Sequence, residues 1–255
     1  MNDLRIDSTV GTHVGRVRTN NEDAFCDGPD IRLWAVADGM GGHENGEWAS
    51  AAIVATLGKL PVPADFDEAC HAIADAIHRA NEEVFSEATS RDIQMGSTVV
   101  ALHVTGRRFC ILWVGDSRGY LLRAGQLYQI SKDHTQVQEM VDRGLMRPED
   151  AEGHPMSHVL ARAVGVQAEV EVDAIADEAE PGDVFLLCSD GLTGQVTDAE
   201  IAEILSTTPN HEEAREKLTQ MTLDRGAPDN VTIAIVGLNE TTLLALNTPI
   251  GSTLS

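Results

Sequence analysis

The sequence is short of basic residues. Lysine and arginine number 18 against 41 aspartates and glutamates, a formal charge of −23 at pH 7. A nucleic-acid binder presents a basic face, and no Lys/Arg cluster that would make one is present. Paired cysteines are missing too. Cys26, Cys70, Cys110 and Cys188 lie far apart without Cys-x-x-Cys spacing, and Cys110 and Cys188 fall inside apolar runs. Such cysteines are small core hydrophobes in a reducing compartment, and no disulfide framework is indicated. Long apolar runs are also absent: nothing approaches the roughly 18 residues of a membrane span. The stretch Met1 to Val10 has neither the basic nor the apolar segment of a secretory leader. The expected location is therefore the cytoplasm. No composition shift, Pro/Ser linker or internal repeat divides the 255 residues. Residues 1–240 read as one domain and 241–255 as a flexible tail, with an apolar patch at Leu243 to Leu246 that could dock.

What is present is legible periodicity. Ala49, Ala52, Ile53, Thr56, Leu57 and Leu60 recur at helical spacing, which predicts an amphipathic helix over Gly46 to Leu60. Ala69, Ile73, Ala76, Ile77, Ala80 and Val84 predict a second from about Asp65, where Asp65 and Glu68 supply a capping pattern. Thr197 and Glu200 repeat that device before Ile201, and a last helix runs from about Glu212 to Arg225, stopped by Gly226. The runs Thr98–Val104, Phe109–Val114, Val184–Cys188 and Val231–Val236 are apolar on both alternating faces. Strands of that kind are covered on both sides. Arg118–Arg123 and Gln126–Ile130 flank Ala124-Gly125, a hairpin signal. Helices come in pairs between groups of strands, which predicts an α+β fold with antiparallel sheets and argues against a doubly wound one. Asp133 to Gly165 is polar and punctuated by Gly and Pro, and reads as a long insertion over the main body.

Four segments place an aspartate where a strand ends or a turn begins: Val36–Glu47, Val114–Tyr120, Leu186–Leu192 and Gly226–Thr232. Singly, Asp-Gly is an ordinary turn dipeptide. Beside a buried strand, however, an aspartate is costly unless it is hydrogen-bonded or bound to a cation. Asp38, Asp116, Asp190 and Asp229 together offer hard oxygen ligands, suited to magnesium or manganese rather than zinc. The glycines after Asp38 are not a nucleotide loop. Gly-x-Gly-x-x-Gly from Gly39 fails at Glu44, and the Gly-Lys-Ser/Thr of a phosphate-binding loop is absent. His154 and His158 are separated by Pro155, so they are read as surface loop residues and not as a helical metal pair.

These segments, in this order, resemble the metal-dependent serine/threonine protein phosphatases called type 2C, and most closely the bacterial branch. Arg18-Thr19-Asn20-Asn21-Glu22-Asp23, Gly96-Ser97-Thr98 and Lys132-Asp133-His134-Thr135 match further motifs of that family, and the match runs from about Gly11 to Val236. The resemblance implies two packed antiparallel β-sheets flanked by helices on both sides, with a flap at about 133–165 that borders the active site. It implies two or three divalent cations, Mn2+ or Mg2+. Asp38 would bridge two of them, the Gly39 carbonyl would bind one, and Asp190 and Asp229 would complete the first site. Glu22 would reach the second through water, and Asp116 with Asp190 would hold a third. Arg18 would bind the substrate phosphate, for which a planar guanidinium is well shaped. The general acid is left unassigned: Met40 stands where some relatives have His, and His43 is shared with bacterial relatives. The implied activity is hydrolysis of phosphoserine and phosphothreonine on proteins, opposing a serine/threonine kinase; the sequence leaves the oligomeric state open, with a monomer as the default. A catalytically silent phosphoprotein-binding module on the same fold is the alternative, and it is disfavoured because every expected carboxylate is present.

Overall fold

Strands that read as apolar on both faces are covered on both faces. The computed structural model describes residues 4–42, 44–151 and 154–240. The chain opens with β1 (Arg5–His13), β2 (Asp23–Gly28) and β3 (Leu33–Met40), followed by α1 (Glu44–Gly58) and α2 (Phe66–Arg91). Next come β4 (Gly96–Ser97), β5 (Val99–Thr105), β6 (Arg108–Val114), β7 (Arg118–Arg123) and β8 (Gln126–Gln129). The flap carries α3 (Gln136–Asp142) and α4 (Pro148–Ala151). The chain then forms β9 (Asp173–Glu178), β10 (Val184–Cys188), α5 (Asp190–Thr193), α6 (Asp198–Thr207), α7 (His211–Asp224) and β11 (Val231–Asn239).

The strands form two antiparallel sheets. One has the order β1-β11-β10-β7-β8; the other runs β2-β3-β5-β6-β9, with the short β4 paired to β3. Period-2 alternation explains the layering. On β6, Phe109, Ile111 and Trp113 point between the sheets, while Cys110, Leu112 and Val114 meet Ile53, Leu57, Ile73 and Ile77 of α1 and α2. On β10, Phe185 and Leu187 join the inter-sheet layer; Leu186 and Cys188 pack with Ile201, Leu205 and Leu218 of α6 and α7. Phe109 and Phe185 meet across the layer with ring centroids 4.8 Å apart. The result is helices, sheet, sheet, helices. Truncating either ring to alanine would cost about 3–5 kcal/mol.

Helix starts follow the capping chemistry. The Asp65 carboxylate accepts from the amides of Asp67 and Glu68, and Thr197 and Glu200 cap each other reciprocally. The first helix begins at Glu44 and ends at Gly58, two residues earlier at both ends than its apolar stripe suggested. Three strands carried no readable signal. β1 and β9 are edge strands with polar sequences; β9 is largely exposed and is held by pairing with β6. β2 is short and mixed, and lies in register against β3. The flap rises from a pinned base: Gln136 N donates to Val159 O, and Ala161 N donates to His134 O. Its exit is held by Asn81 of α2, which accepts from Gly165 N and donates to the carbonyls of Gln167 and Ala168. Gly165 has φ +86°, and a Cβ there would collide with Val84. The expected tail at 241–255, and His43, lie outside the described residues. Among the described residues no helix is long and apolar enough to cross a membrane.

Candidate active site

Asp38 sits inside β3, not at its end, and pairs in register with Asp23 of β2. Its backbone is held by the Gly-Ser-Thr segment. Asp38 N donates to Thr98 Oγ1 at 3.0 Å, Thr98 N and Ser97 Oγ both donate to Asp38 O, and Thr98 Oγ1 meets Ser117 Oγ at 2.6 Å. Thus one hydroxyl pair ties the segment bearing Asp116 to the strand bearing Asp38. Gly39 N donates to Glu22 O, and a Cβ on Gly39 would collide with the Gly46 carbonyl. Only glycine lets the start of α1 approach the strand this closely.

Asp190 is the first residue of α5, immediately after β10 and Ser189. Asp229 precedes β11 by two residues, and Asp116 follows β6 by two. Asn230 rivets the N-terminal loop. Its carbonyl oxygen accepts from Glu22 N at 2.8 Å, and its amide donates to Val14 O and Asn20 O. A Cβ on Gly191 would collide with the Asn230 backbone carbonyl, so the second Asp-Gly is glycine for contact as well as for turning.

These elements converge on one cleft of about 610 Å³, lined by Arg18, Glu22, Asp38, Gly39, Asp116, Asp190 and Asp229, with His158, Val159 and Leu160 from the flap. All seven residues singled out in the sequence are therefore on its walls. Lys132-Asp133-His134-Thr135 is not. Asp133 forms a bidentate pair with Arg118, and His134 Nδ1 accepts from Gly115 N at 3.0 Å while its Nε2 meets Asp173. That motif supports the Asp116 loop from behind.

The electrostatics are those of a crowded acid cluster. Burial first, then the charges of Asp23, Asp190, Asp116 and Asp229, raise the Asp38 carboxyl well above its ordinary range. Burial, then the Asp229 charge, raises Asp190, whose carboxyl shares a hydrogen bond with Asp38. Asp116 is pushed up to about 7, chiefly by burial and then by Asp190. Asp23, which accepts from Ser189 Oγ at 2.8 Å, is also pushed up to about 7 by burial, and its Oδ1 has no partner. Arg18 is the cation in reach: Nη2 bonds Asp229 Oδ2 at 2.8 Å, and the side chain remains 55% exposed. Buried carboxylates that repel one another, offering mainly oxygen donors, fit hard divalent cations. Among the described residues no three His, Cys, Asp or Glu side chains already converge to hold one ion. Asp38 and Asp190 are joined to each other and Asp229 to Arg18, contacts that a cation would replace.

Sequence reasoning missed two contributors. His158 is highly exposed, yet its Nδ1 lies 4.0 Å from Asp190 Oδ2 on the cleft wall. The sequence places it only on a surface loop, because nothing local indicates where a flap folds back. His154, by contrast, only accepts from Met156 N in its own turn. Asn230 carried no signal beyond its place after Asp229; its partners lie over 200 residues away.

A family model described as "Protein phosphatase 2C" matches residues 7–140. The chain is 41% identical over 223 residues to "Serine/threonine protein phosphatase PstP" of Mycobacterium tuberculosis, covering 87% of this chain and 43% of that protein. It therefore spans under half the length of that relative. It is 36% identical to "Serine/threonine phosphatase stp" of Listeria innocua, covering 89% of this chain and 94% of that one. Among solved structures, the catalytic domain of PstP in complex with two manganese ions superposes with a TM-score of 0.83 at 38% identity, over 93% of this chain and all of that one.

Proposed function

The chain belongs to the protein phosphatase 2C family, and from that premise we propose that it hydrolyses phosphoserine and phosphothreonine on proteins. The observation that carries the reading is the convergence of Asp38, Asp116, Asp190, Asp229, Glu22 and Arg18 on one cleft. In this reading residues 1–240 are one catalytic unit. Two or three divalent cations, Mn2+ or Mg2+, would be held by Asp38, the Gly39 carbonyl, Asp190 and Asp229, with Glu22 serving a second and Asp116 with Asp190 a third. A solved relative, the catalytic domain of PstP in complex with two manganese ions, supports the choice of cation.

Phosphate monoesters resist hydrolysis because the dianion repels nucleophiles and the alkoxide leaves poorly. When bound, the cations supply Lewis acidity: they lower the pKa of water and offset phosphoryl charge. The chain's own residues do the rest. The rigid backbone around Asp38, clamped by Ser97 and Thr98, holds its carboxylate without reorganisation. Arg18, on the cleft wall beside Asp229, presents its guanidinium to the phosphoryl oxygens. Burial of Asp38 and Asp116 places them in a less polar surrounding and strengthens each interaction they make. The opposing activity in the cell is a serine/threonine kinase, the enzyme class that makes this substrate. A cytoplasmic location, in keeping with four cysteines without a disulfide, and a monomer as the default complete the proposal.

The test is hydrolysis of p-nitrophenyl phosphate and a phosphothreonine peptide with EDTA, magnesium or manganese, beside Asp38→Ala and Asp190→Ala. The expected result is activity restored by cation and lost in both variants. No turnover by the wild type with manganese on either substrate would leave a silent phosphoprotein-binding module as the account.

A further inference from the structure

Two of the four cysteines are neighbours. Cys70 lies on α2 and Cys110 on β6, 40 residues apart in sequence, and their sulfurs are 2.7 Å apart. No disulfide joins them, yet the separation is only a little longer than a disulfide's ~2.05 Å. Their surroundings differ. Cys110 is fully buried in the core beneath α1 and α2, whereas Cys70 is partly exposed at the edge of that core. Beside Cys70, Arg108 bonds Asp67 at 2.9 Å and stacks over the Phe66 ring. Cys26 and Cys188 are both buried and have no cysteine partner.

We propose that Cys70 and Cys110 form a peroxide-reactive dithiol, which hydrogen peroxide converts into a disulfide linking α2 to β6. Cys70 is the attacking sulfur because it alone of the pair is reached by solvent. Its thiolate attacks one peroxide oxygen, the O–O bond breaks, and hydroxide leaves as water, giving a sulfenic acid. The Cys110 sulfur then attacks the Cys70 sulfur; the S–S bond forms, the S–O bond breaks, and a second water departs with the Cys110 proton. Two thiols lose two electrons, and one peroxide gives two waters. Acidity agrees with these roles. The contact with Cys110 lowers the Cys70 thiol, opposed by burial and Asp67 and helped by Arg108, while the same contact and burial push Cys110 up. Burial pushes Cys26 to about 11 and Cys188 to about 12, which leaves them inert. The bond would fasten to the sheet the helix whose Asn81 holds the exit of the flap.

The test uses the full chain, reduced, desalted and treated with hydrogen peroxide. Thiols are counted under denaturing conditions, and unreduced peptides are mapped by mass spectrometry. The expected result is that two of the four thiols disappear, the linked peptides contain Cys70 and Cys110, and a phosphine reductant restores all four. In Cys110→Ser, dimedone should trap a sulfenic acid on Cys70. Survival of all four thiols in the wild type, a link through Cys26 or Cys188, or oxidation that proceeds between chains would overturn the proposal. The wild-type thiol count decides the matter even where a variant folds poorly.

Discussion

Replacing Asp116 by asparagine should make the cation-free protein more stable. Asp116 is 9% exposed, and its carboxyl is pushed up to about 7 from 3.8 by burial and then by Asp190. A group whose folded pKa is raised adds its full stability below the unfolded pKa and loses it as pH rises through the folded one. For Asp116 the loss begins near pH 4 and is complete above pH 7. Roughly three pKa units correspond to about 4 kcal/mol once the loss is complete. About half of that, ~2 kcal/mol, develops between pH 5.5 and 7.5. An asparagine side chain never ionises and escapes the penalty. In EDTA, Asp116→Asn should therefore melt higher than wild type by on the order of 10 °C at pH 7.5, and by roughly half as much at pH 5.5. Excess manganese should erase or invert the difference, because a bound cation favours the charged carboxylate. Thermal melts at the two pH values, with and without manganese, make the assay. An Asp116→Asn variant no more stable than wild type in EDTA at pH 7.5, or an advantage that does not grow with pH, would refute the reasoning.

Other perturbations probe the supports of the cleft. Gly191→Ala forces a methyl group into the Asn230 carbonyl; a loss of at least ~2 kcal/mol in urea melts, together with a large fall in turnover, is expected. Asp183 is 1% exposed and grips Arg123 through both carboxylate oxygens. Asp183→Ala should cost about 3 kcal/mol by denaturant titration, with catalysis by the surviving folded protein unchanged. Arg18→Ala should lower kcat/KM for a phosphothreonine peptide at least about tenfold, ~1.4 kcal/mol. Arg18→Lys should recover only part of it, since lysine cannot present a planar fork; full recovery would point to charge alone.

Much of the scaffold was legible because its signals are local. The strands β5, β6, β10 and β11 announce themselves by apolar residues on both faces, and their observed bounds agree with the reading to within a few residues. The capped starts of α2 and α6 were readable for the same reason: Asp65 and Thr197 bond amides two or three residues away. β1 and β9 were not. Their polar residues are stable as strands only because β11 and β6 offer a ladder, and a ladder is a property of two segments.

The candidate site divides along the same line. Asp38, Asp190 and Asp229 stood out because each lies beside a glycine or a turn at the end of an apolar run, a pattern contained within a few residues. Only the tertiary structure decided that Asp38 faces Asp23 across a strand pair and shares a hydrogen bond with Asp190. It alone decided that Arg18 braces Asp229, that Asn230 holds the Glu22 loop, and that the flap brings His158 to the rim. Sequence determines which groups are available and the local backbone geometry that presents them. Distance between groups remote in the chain, and with it burial, mutual repulsion and shifted acidity, exists only once the two sheets have packed.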